Sequence, residues 1–169
     1  PLVPELIYVR KKWKKNSYKL YRVKVKSLNA STNYFYEIKT DDGIAGLFRF
    51  KTLPNNPESN FSFLIISDSQ NGDSLTREIV DQSIIPTVFL SREDRKISPL
   101  AFTLFPGDLV QWGFIHKLWH KQFFTPLKNL LVRAPIIPAI GNHEYNSKIY
   151  YNYFYDGDKS LIHHYFDQL

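Results

Sequence analysis

Three apolar runs in the sequence each end in side chains that can bind a cation or carry a proton. The runs are FSFLIIS at 61–67, LAFTLF at 100–105 and PIIPAI at 135–140. The side chains that follow them are Asp68 and Gln70, then Asp108, then Asn142, His143 and Glu144. All of their donor atoms are oxygen or nitrogen, so a shared cation would be a metal such as Mn, Zn, Fe or Mg rather than a soft one.

The two aspartates would repel each other if they lay close together, unless a cation stood between them. One carboxylate can bridge two metal ions about 3.5–4 Å apart, and such a pair activates water and binds a phosphoryl group for in-line attack. The residue types therefore indicate a two-metal site that acts on phosphate esters. Any one of these loops alone could instead be an ordinary turn or helix cap, because Asp, Asn and Gly are common there.

The elements that would position these residues follow a β-α-β-α-β order. Continuous apolar runs are typical of strands that are covered on both faces. Right-handed crossovers between such strands give a mostly parallel sheet. The three strand ends would then meet at one edge, which is where open α/β folds place their ligands.

Two helices are predicted between the strands. The first spans 74–85, with Ser74 as its cap, and Pro86 ends or restarts it. The second spans 112–131 and is bent at Pro126. Their apolar stripes are Leu75, Ile79, Val80 and Ile84 in the first, and Trp112, Ile115, Leu118, Trp119, Phe123, Leu127 and Leu130 in the second.

The N-terminal part has a different pattern, in which apolar and polar residues alternate. Period-two alternation is typical of antiparallel strands with one face on a core. The predicted inward residues are Tyr21, Val23, Val25, Tyr34, Tyr36, Ile38, Phe48 and Phe50. We therefore expect a small all-β sandwich over 1–53, a Pro- and Asn-rich linker over 54–60, and the α/β part over 61–169.

Composition limits the alternatives. The chain has 169 residues, is 43% hydrophobic and contains no cysteine, so a packed core is expected and thiolate metal sites are excluded. No apolar run is long enough to span a membrane. The net charge of +6 favours anionic partners, and much of it lies in the run RKKWKK at 10–15. This run is either a solvated strand end or turn, or a patch that binds nucleic acid or another polyanion. Because the chain starts with Pro1 and lacks methionine, we expect a processed or excised piece.

The polar segments also resemble those of a known family. DSQ, GDLVQWG and GNHE, in this order and spacing, resemble the first three motifs of the calcineurin-like metallophosphoesterases. The alternating region with YFYEI and FRFKTLP is similar to the fibronectin-like domain that precedes the catalytic domain of purple acid phosphatases. The resemblance spans roughly residues 18 to 167 and implies the N-terminal portion of a metallophosphoesterase domain behind a small β domain.

The resemblance implies a role for each matching residue. Asp68 would bind the first metal ion, Asp108 would bridge both, and Asn142 would bind the second. His143 would contact the phosphate and assist the leaving group. Glu144 has the motif position without an assured role, and we expect it to support the ligands by a hydrogen bond.

The sequence departs from the family pattern at three points. Gln70 stands where many members have a histidine ligand, so it is an additional candidate ligand and the first metal would be held more weakly or through water. Gln111 stands where purple acid phosphatases have a tyrosinate, which argues against an Fe(III)–tyrosinate centre. The later histidine motifs, including GHxH, are absent.

The remaining histidines are not expected to replace those motifs. His163 and His164 are neighbours in an expected strand, where adjacent side chains face opposite ways and do not readily share a metal. His116 and His120 lie four apart on the second predicted helix and flank its apolar stripe. We expect both to be partly exposed surface residues.

These observations favour a phosphatase or phosphodiesterase that uses two divalent or trivalent metal ions, with only part of the site present. We expect residues 1–169 alone to self-associate or to depend on a missing C-terminal segment. The alternative is a catalytically lapsed fragment that binds a polyanion or a surface partner through its β domain and basic run. NAS at 29–31 and NFS at 60–62 match the glycosylation pattern and favour a secreted or periplasmic protein.

Overall fold

The computed structural model describes residues 5–9, 20–40, 43–70, 73–89 and 100–155. Its N-terminal part consists of two antiparallel pairs. Strand β1 (Glu5–Val9) pairs with β2 (Leu20–Lys24), and β3 (Asn33–Thr40) pairs with β4 (Gly43–Lys51). The prediction of antiparallel β structure is confirmed, whereas its closure into a sandwich stays a prediction, since the described strands form separate two-stranded sheets.

The β3–β4 hairpin has one aromatic face. Tyr34 and Tyr36 pack on Phe48 and Phe50, and all four rings are half-buried, as the alternation predicts. The prediction is wrong for Ile38, which is 45% exposed because the ladder shifts register between Glu37 and Lys39.

The inward prediction is also wrong for two residues of the first hairpin region. Val23 and Val25 are each 45% exposed. They lie in or just after β2, a short strand that pairs only with β1 among the described residues, so alternation alone did not specify which face is covered.

The α/β part contains a parallel sheet in the order β5–β6–β7. Its strands are β5 (Ser62–Ile65), β6 (Leu100–Phe105) and β7 (Ile136–Pro138). The mostly parallel sheet is therefore confirmed, and the carboxyl ends of its strands lie along one edge. Coverage on both faces is correct for the central strand β6 and wrong for β5. Phe63 and Ile65 are 50% and 58% exposed because β5 is an edge strand of the described sheet with one face turned away from the core.

The first helical segment runs over 73–88. It comprises α1 (Asp73–Ile79), a π-helical turn (Val80–Ile84) and α2 (Ile85–Val88). Pro86 lies in the first turn of α2, directly after the π-helical turn, so it does not end the helix. The predicted stripe is correct at Val80 and Ile84 and wrong at Leu75 and Ile79, which are exposed, because the segment packs on the core only from the π turn onward.

The second helical segment begins later than predicted. It consists of α3 (His116–Leu118), a π-helical stretch (Trp119–Phe124) and α4 (Lys128–Leu131), with a turn between them that contains Pro126. The prediction of one helix bent at Pro126 is therefore wrong, because the turn over 125–127 separates two helical pieces. Trp112 precedes the helix and is 43% exposed, so its assignment to the buried stripe is wrong.

A continuous aromatic core links these helices to the sheet. Trp119 and Phe123 are fully buried and contact Phe154 of a further helix, α5 (Lys148–Phe154). Tyr36 of β3 also donates a hydrogen bond of 3.1 Å to the Val132 carbonyl, so the N-terminal hairpin contacts the α/β part. Within the described ranges, no helix is both long and apolar enough to cross a membrane.

Candidate functional site

Three loops leave the carboxyl ends of the parallel strands. We call residues 66–70 the first loop, 106–115 the second loop and 139–147 the third loop. Asp68 and Asp108 both have left-handed backbone conformations, with φ of 55° and 52°. Aspartate adopts this conformation more readily than most residues, and non-glycine residues held there are concentrated at functional sites.

The second and third loops are joined by the carboxylate of Glu144. This side chain is fully buried and accepts four backbone N–H groups. Oε2 accepts from Asp108 and Gly141 at 2.9 and 2.7 Å, and Oε1 accepts from Leu109 and Val110 at 2.8 and 3.2 Å. The hydrogen-bonding role predicted for Glu144 is thus confirmed, and these bonds leave the carboxylate committed to fixing the loops rather than facing a ligand.

Close backbone approach explains why glycines occur in these loops. Gly107 has φ of 128°, and a Cβ there would lie 2.7 Å from the Gly141 Cα atom. A Cβ on Gly141 would overlap Asp108, and a Cβ on Gly113 would overlap the backbone of Glu144. The two loops can therefore come together only with glycine at these positions.

His143 is oriented by two bonds that cross between the loops. Its backbone N–H donates to Asp108 Oδ1 at 3.0 Å, and its ring Nδ1 lies 2.9 Å from the Gln111 carbonyl oxygen. Because a carbonyl oxygen can only accept, Nδ1 must carry the hydrogen. In the neutral ring, Nε2 is then the nitrogen that can take up a proton.

The first loop lies beside the second. Ser67 Oγ donates to the Gly107 carbonyl at 3.5 Å, and Ser69 Oγ donates to the Leu109 carbonyl at 3.4 Å. Asp68 lies between Ser67 and Ser69 in the sequence, and Asp108 lies between Gly107 and Leu109, the residues whose carbonyls accept from these serines. The two aspartates therefore occupy corresponding positions on adjacent loops.

The structure also gives the exposure of each predicted ligand. Asp68 and Asn142 are exposed, and Asn142 is the first residue of a 3-10 turn (Asn142–Glu144). Asp108 and His143 are half-buried. Hydrogen bonds between side chains and backbone thus join the loops that carry all of these residues, while their roles as ligands stay predictions.

Two buried side-chain oxygens in these loops lack a hydrogen-bond partner. They are Oε1 of Gln70 on the first loop and Oε1 of Gln111 on the second. A buried amide oxygen without a partner costs about 1–3 kcal/mol, so such atoms call for an explanation such as an ion or a water. The donor chemistry of this edge therefore fits a hard metal ion.

The described residues contain no group of three or more His, Cys, Asp or Glu side chains that could hold a metal ion. Such a group is absent there because the Glu144 carboxylate already accepts four backbone N–H groups, and because Gln70, Gln111 and Asn142 carry amides rather than ionisable side chains. The amide of Gln111 was not among the predicted ligands. Its position three residues after Asp108, in the same polar segment, was the available signal.

A separate cavity of about 450 Å³ lies between the two helical segments. Arg77, Lys117 and Lys121 line it, and Lys121 pairs with Asp73 at 3.2 Å. A backbone hydrogen bond and the bond from Lys121 hold the pKa of Asp73 below its usual value. This cavity is basic overall.

Of the two helix histidines, His120 lines this cavity and His116 lies beside His120. Their rings are 5.1 Å apart, His116 is half-buried and hydrogen-bonds Tyr153 at 2.8 Å, and His120 is exposed. Burial, followed by the neighbouring His120, lowers the pKa of His116. Their prediction as partly exposed surface residues is confirmed. The basic run at 10–15 and His163 and His164 lie outside the described residues.

Comparison with known proteins identifies a family. The family model described as calcineurin-like phosphoesterase matches residues 61–168, which is more than half of the chain. A search of curated proteins gave no significant match. The family suggested by the three polar motifs is therefore confirmed, while the purple acid phosphatase subtype and the fibronectin-like domain stay predictions.

Proposed function

The chain belongs to the calcineurin-like phosphoesterase family, and on that basis we propose that it is a phosphatase or phosphodiesterase with a dinuclear metal site at the edge of the parallel sheet. The family suggests a metal-dependent phosphoester hydrolase that uses divalent metal ions. The proposed ligands are Asp68, Asp108 and Asn142, with Gln70 as a further ligand. A phosphate ester is the proposed substrate.

The observation that carries this proposal is the pair of partnerless amide oxygens on Gln70 and Gln111. Each lies within three residues of a proposed aspartate ligand. Burying an unsatisfied oxygen beside a carboxylate is unfavourable unless positive charge is supplied. A cation bound at this edge would give such partnerless oxygens a partner.

The donor set indicates which metals suit the site. Carboxylate and amide oxygens are hard ligands and favour Mn²⁺ or Mg²⁺, whereas nitrogen-rich sites favour Zn²⁺ or Fe. Because Gln111 stands where purple acid phosphatases have a tyrosinate, the metal-loaded protein should lack their colour. When bound, the metals would supply a Lewis acid for the phosphoryl oxygen and lower the pKa of an attacking water.

The chain's own residues would position the reaction and move a proton. Glu144 fixes the backbone of Asp108, and the His143 N–H holds Asp108 Oδ1. The bond from His143 Nδ1 to Gln111 fixes the ring, which leaves Nε2 to donate a proton to the leaving oxygen when the ring is charged. We therefore assign His143 as the general acid.

Export is part of the proposal as well. Asn29 and Asn60, the acceptors of the two glycosylation patterns, are both exposed. Exposure is what attachment of a glycan requires. A secreted or periplasmic location agrees with this.

Hydrolysis of p-nitrophenyl phosphate, with and without a chelator, tests the proposed function. Asp108→Asn keeps an oxygen that can accept the His143 N–H but removes the charge, so we expect a loss in kcat/KM of more than about a hundredfold. Asp81→Asn, at a carboxylate in the first helical segment that accepts a hydrogen bond from Asn129 Nδ2, is the matched control and should retain activity. Chelator-resistant turnover, or equal turnover in Asp108→Asn, would refute the assignment. A protein that turns over no phosphate ester would favour the polyanion-binding alternative.

A further inference from the structure

Three large aromatic side chains are exposed on the second and third loops. Trp112, Phe114 and Tyr145 are 43%, 57% and 57% exposed. The rings of Phe114 and Tyr145 meet edge to face, with centroids 5.4 Å apart. We call these three residues the aromatic platform. A lone exposed apolar side chain is common, whereas exposed rings that contact each other, as Phe114 and Tyr145 do, are typical of a surface that contacts another molecule.

The aromatic platform is attached directly to the proposed catalytic residues. Trp112 directly follows Gln111, whose carbonyl oxygen accepts a hydrogen bond from the His143 ring. The next residue, Gly113, donates its N–H to the His143 carbonyl at 3.0 Å. Tyr145 N–H donates to the Asn142 carbonyl at 3.1 Å. The platform and the proposed site are therefore parts of one hydrogen-bonded unit.

The backbone beneath the platform is fixed. The Gly113 carbonyl accepts both Trp119 Nε1 and Ser147 Oγ at 2.8 Å, and both donors are buried. Tyr145 is held in a left-handed conformation with φ of 51°, which is uncommon for an aromatic residue. Strain of this kind is concentrated at ligand-binding segments. A rigid, exposed aromatic surface loses little conformational freedom when it binds a flat ring.

We propose that the aromatic platform binds a planar aromatic ring carried by the phosphate-ester substrate. This inference rests on the proposed function and narrows its substrate class to esters of aryl alcohols or of nucleosides. The ring would stack on or against Phe114 and Tyr145 while the phosphate lies toward His143. Alkyl phosphates, which have no ring, would gain nothing from the platform.

Binding of non-hydrolysable phosphonates to the chain in Mg²⁺ tests the inference without requiring turnover. Isothermal titration would compare phenylphosphonate, the phosphonate analogue of adenosine monophosphate, and methylphosphonate. The parent protein should bind at least one ring-bearing compound about tenfold or more tighter than methylphosphonate. The stronger of the two ring compounds identifies an aryl or a nucleoside substrate.

Two variants locate the effect. Phe114→Ala and Tyr145→Asn should each weaken the ring-bearing ligand about tenfold and leave methylphosphonate binding unchanged, and asparagine tolerates the left-handed backbone at 145. Phe35→Ala, at a ring 65% exposed on β3, is the control and should change neither. Equal affinity for ring-bearing and ring-free phosphonates, or ring preference that survives both variants, would overturn the inference. Ring-selective binding without any phosphatase activity would instead refute the proposed function alone.

Discussion

Replacing Glu144 by glutamine tests whether its carboxylate joins the second and third loops. The side chain is fully buried, and each of its oxygens accepts two backbone N–H groups. In Glu144→Gln, one oxygen becomes an amide NH₂ group, whichever way the amide is oriented. Two backbone N–H groups would then face a donor and lose their acceptor.

The expected cost follows from those two bonds. An unsatisfied buried donor costs about 1–3 kcal/mol, so the variant should lose about 2–6 kcal/mol of the free energy of unfolding. Because folded domains are stable by only about 5–15 kcal/mol, this is a large fraction of the total. If the NH₂ group replaces Oε2, Asp108 N–H loses its acceptor, and metal binding should weaken as well.

Urea unfolding followed by circular dichroism measures this loss. Glu58→Gln makes the same chemical change at an exposed residue of the segment between the two parts, and it should stay within about 0.5 kcal/mol of the parent. If Glu144→Gln also unfolded within about 0.5 kcal/mol of the parent, the carboxylate would not be holding the loops together.

Three further predictions concern packing, pH and association. Gly141→Ala places a Cβ onto Asp108 and should lower the free energy of unfolding by about 1–3 kcal/mol in urea titrations. An unchanged urea midpoint would contradict the close approach of Gly141 to Asp108. The pKa of His116 is lower in the folded protein than in the unfolded chain, so the unfolded chain takes up a proton first and the free energy of unfolding falls as pH drops from 6.5 to the folded pKa. His116→Gln should therefore reduce the difference in unfolding free energy between about pH 7.5 and about pH 5.5. If the variant shows the same difference as the parent, His116 is not the group responsible. Ile65→Lys replaces an apolar residue that is 58% exposed on β5, and it should reduce self-association in sedimentation experiments. Leu75→Lys is the control, because Leu75 is equally exposed (59%) but lies on α1, and it should have a smaller effect. Equal effects of the two variants would exclude the β5 face as the surface of association.

The sheet was predictable because its signal lies in the sequence itself. Continuous apolar runs and the helical segments between them determine a parallel order, and β6 is found at the predicted residues. Burial was less predictable because it depends on neighbours. Leu75 and Trp112 fit apolar stripes in one dimension, yet a π-helical turn and a late helix start leave them exposed.

The site was predictable as a set of loops but not as a set of contacts. Parallel strand ends meet at one edge, so the neighbouring positions of Asp68 and Asp108 followed from topology. The four bonds to Glu144 depend on two loops whose separation no spacing rule gives. The partnerless oxygen of Gln111 likewise becomes visible only when its surroundings are known.

Titration with Mn²⁺, followed by the electron paramagnetic resonance signal of the free ion, tests the central claim most directly. If Asp68, Asp108 and Asn142 hold metal ions, the protein should bind Mn²⁺ and Asp108→Asn should bind it more than about tenfold more weakly. The same affinity in the protein and in Asp108→Asn would contradict a metal site at this edge of the sheet.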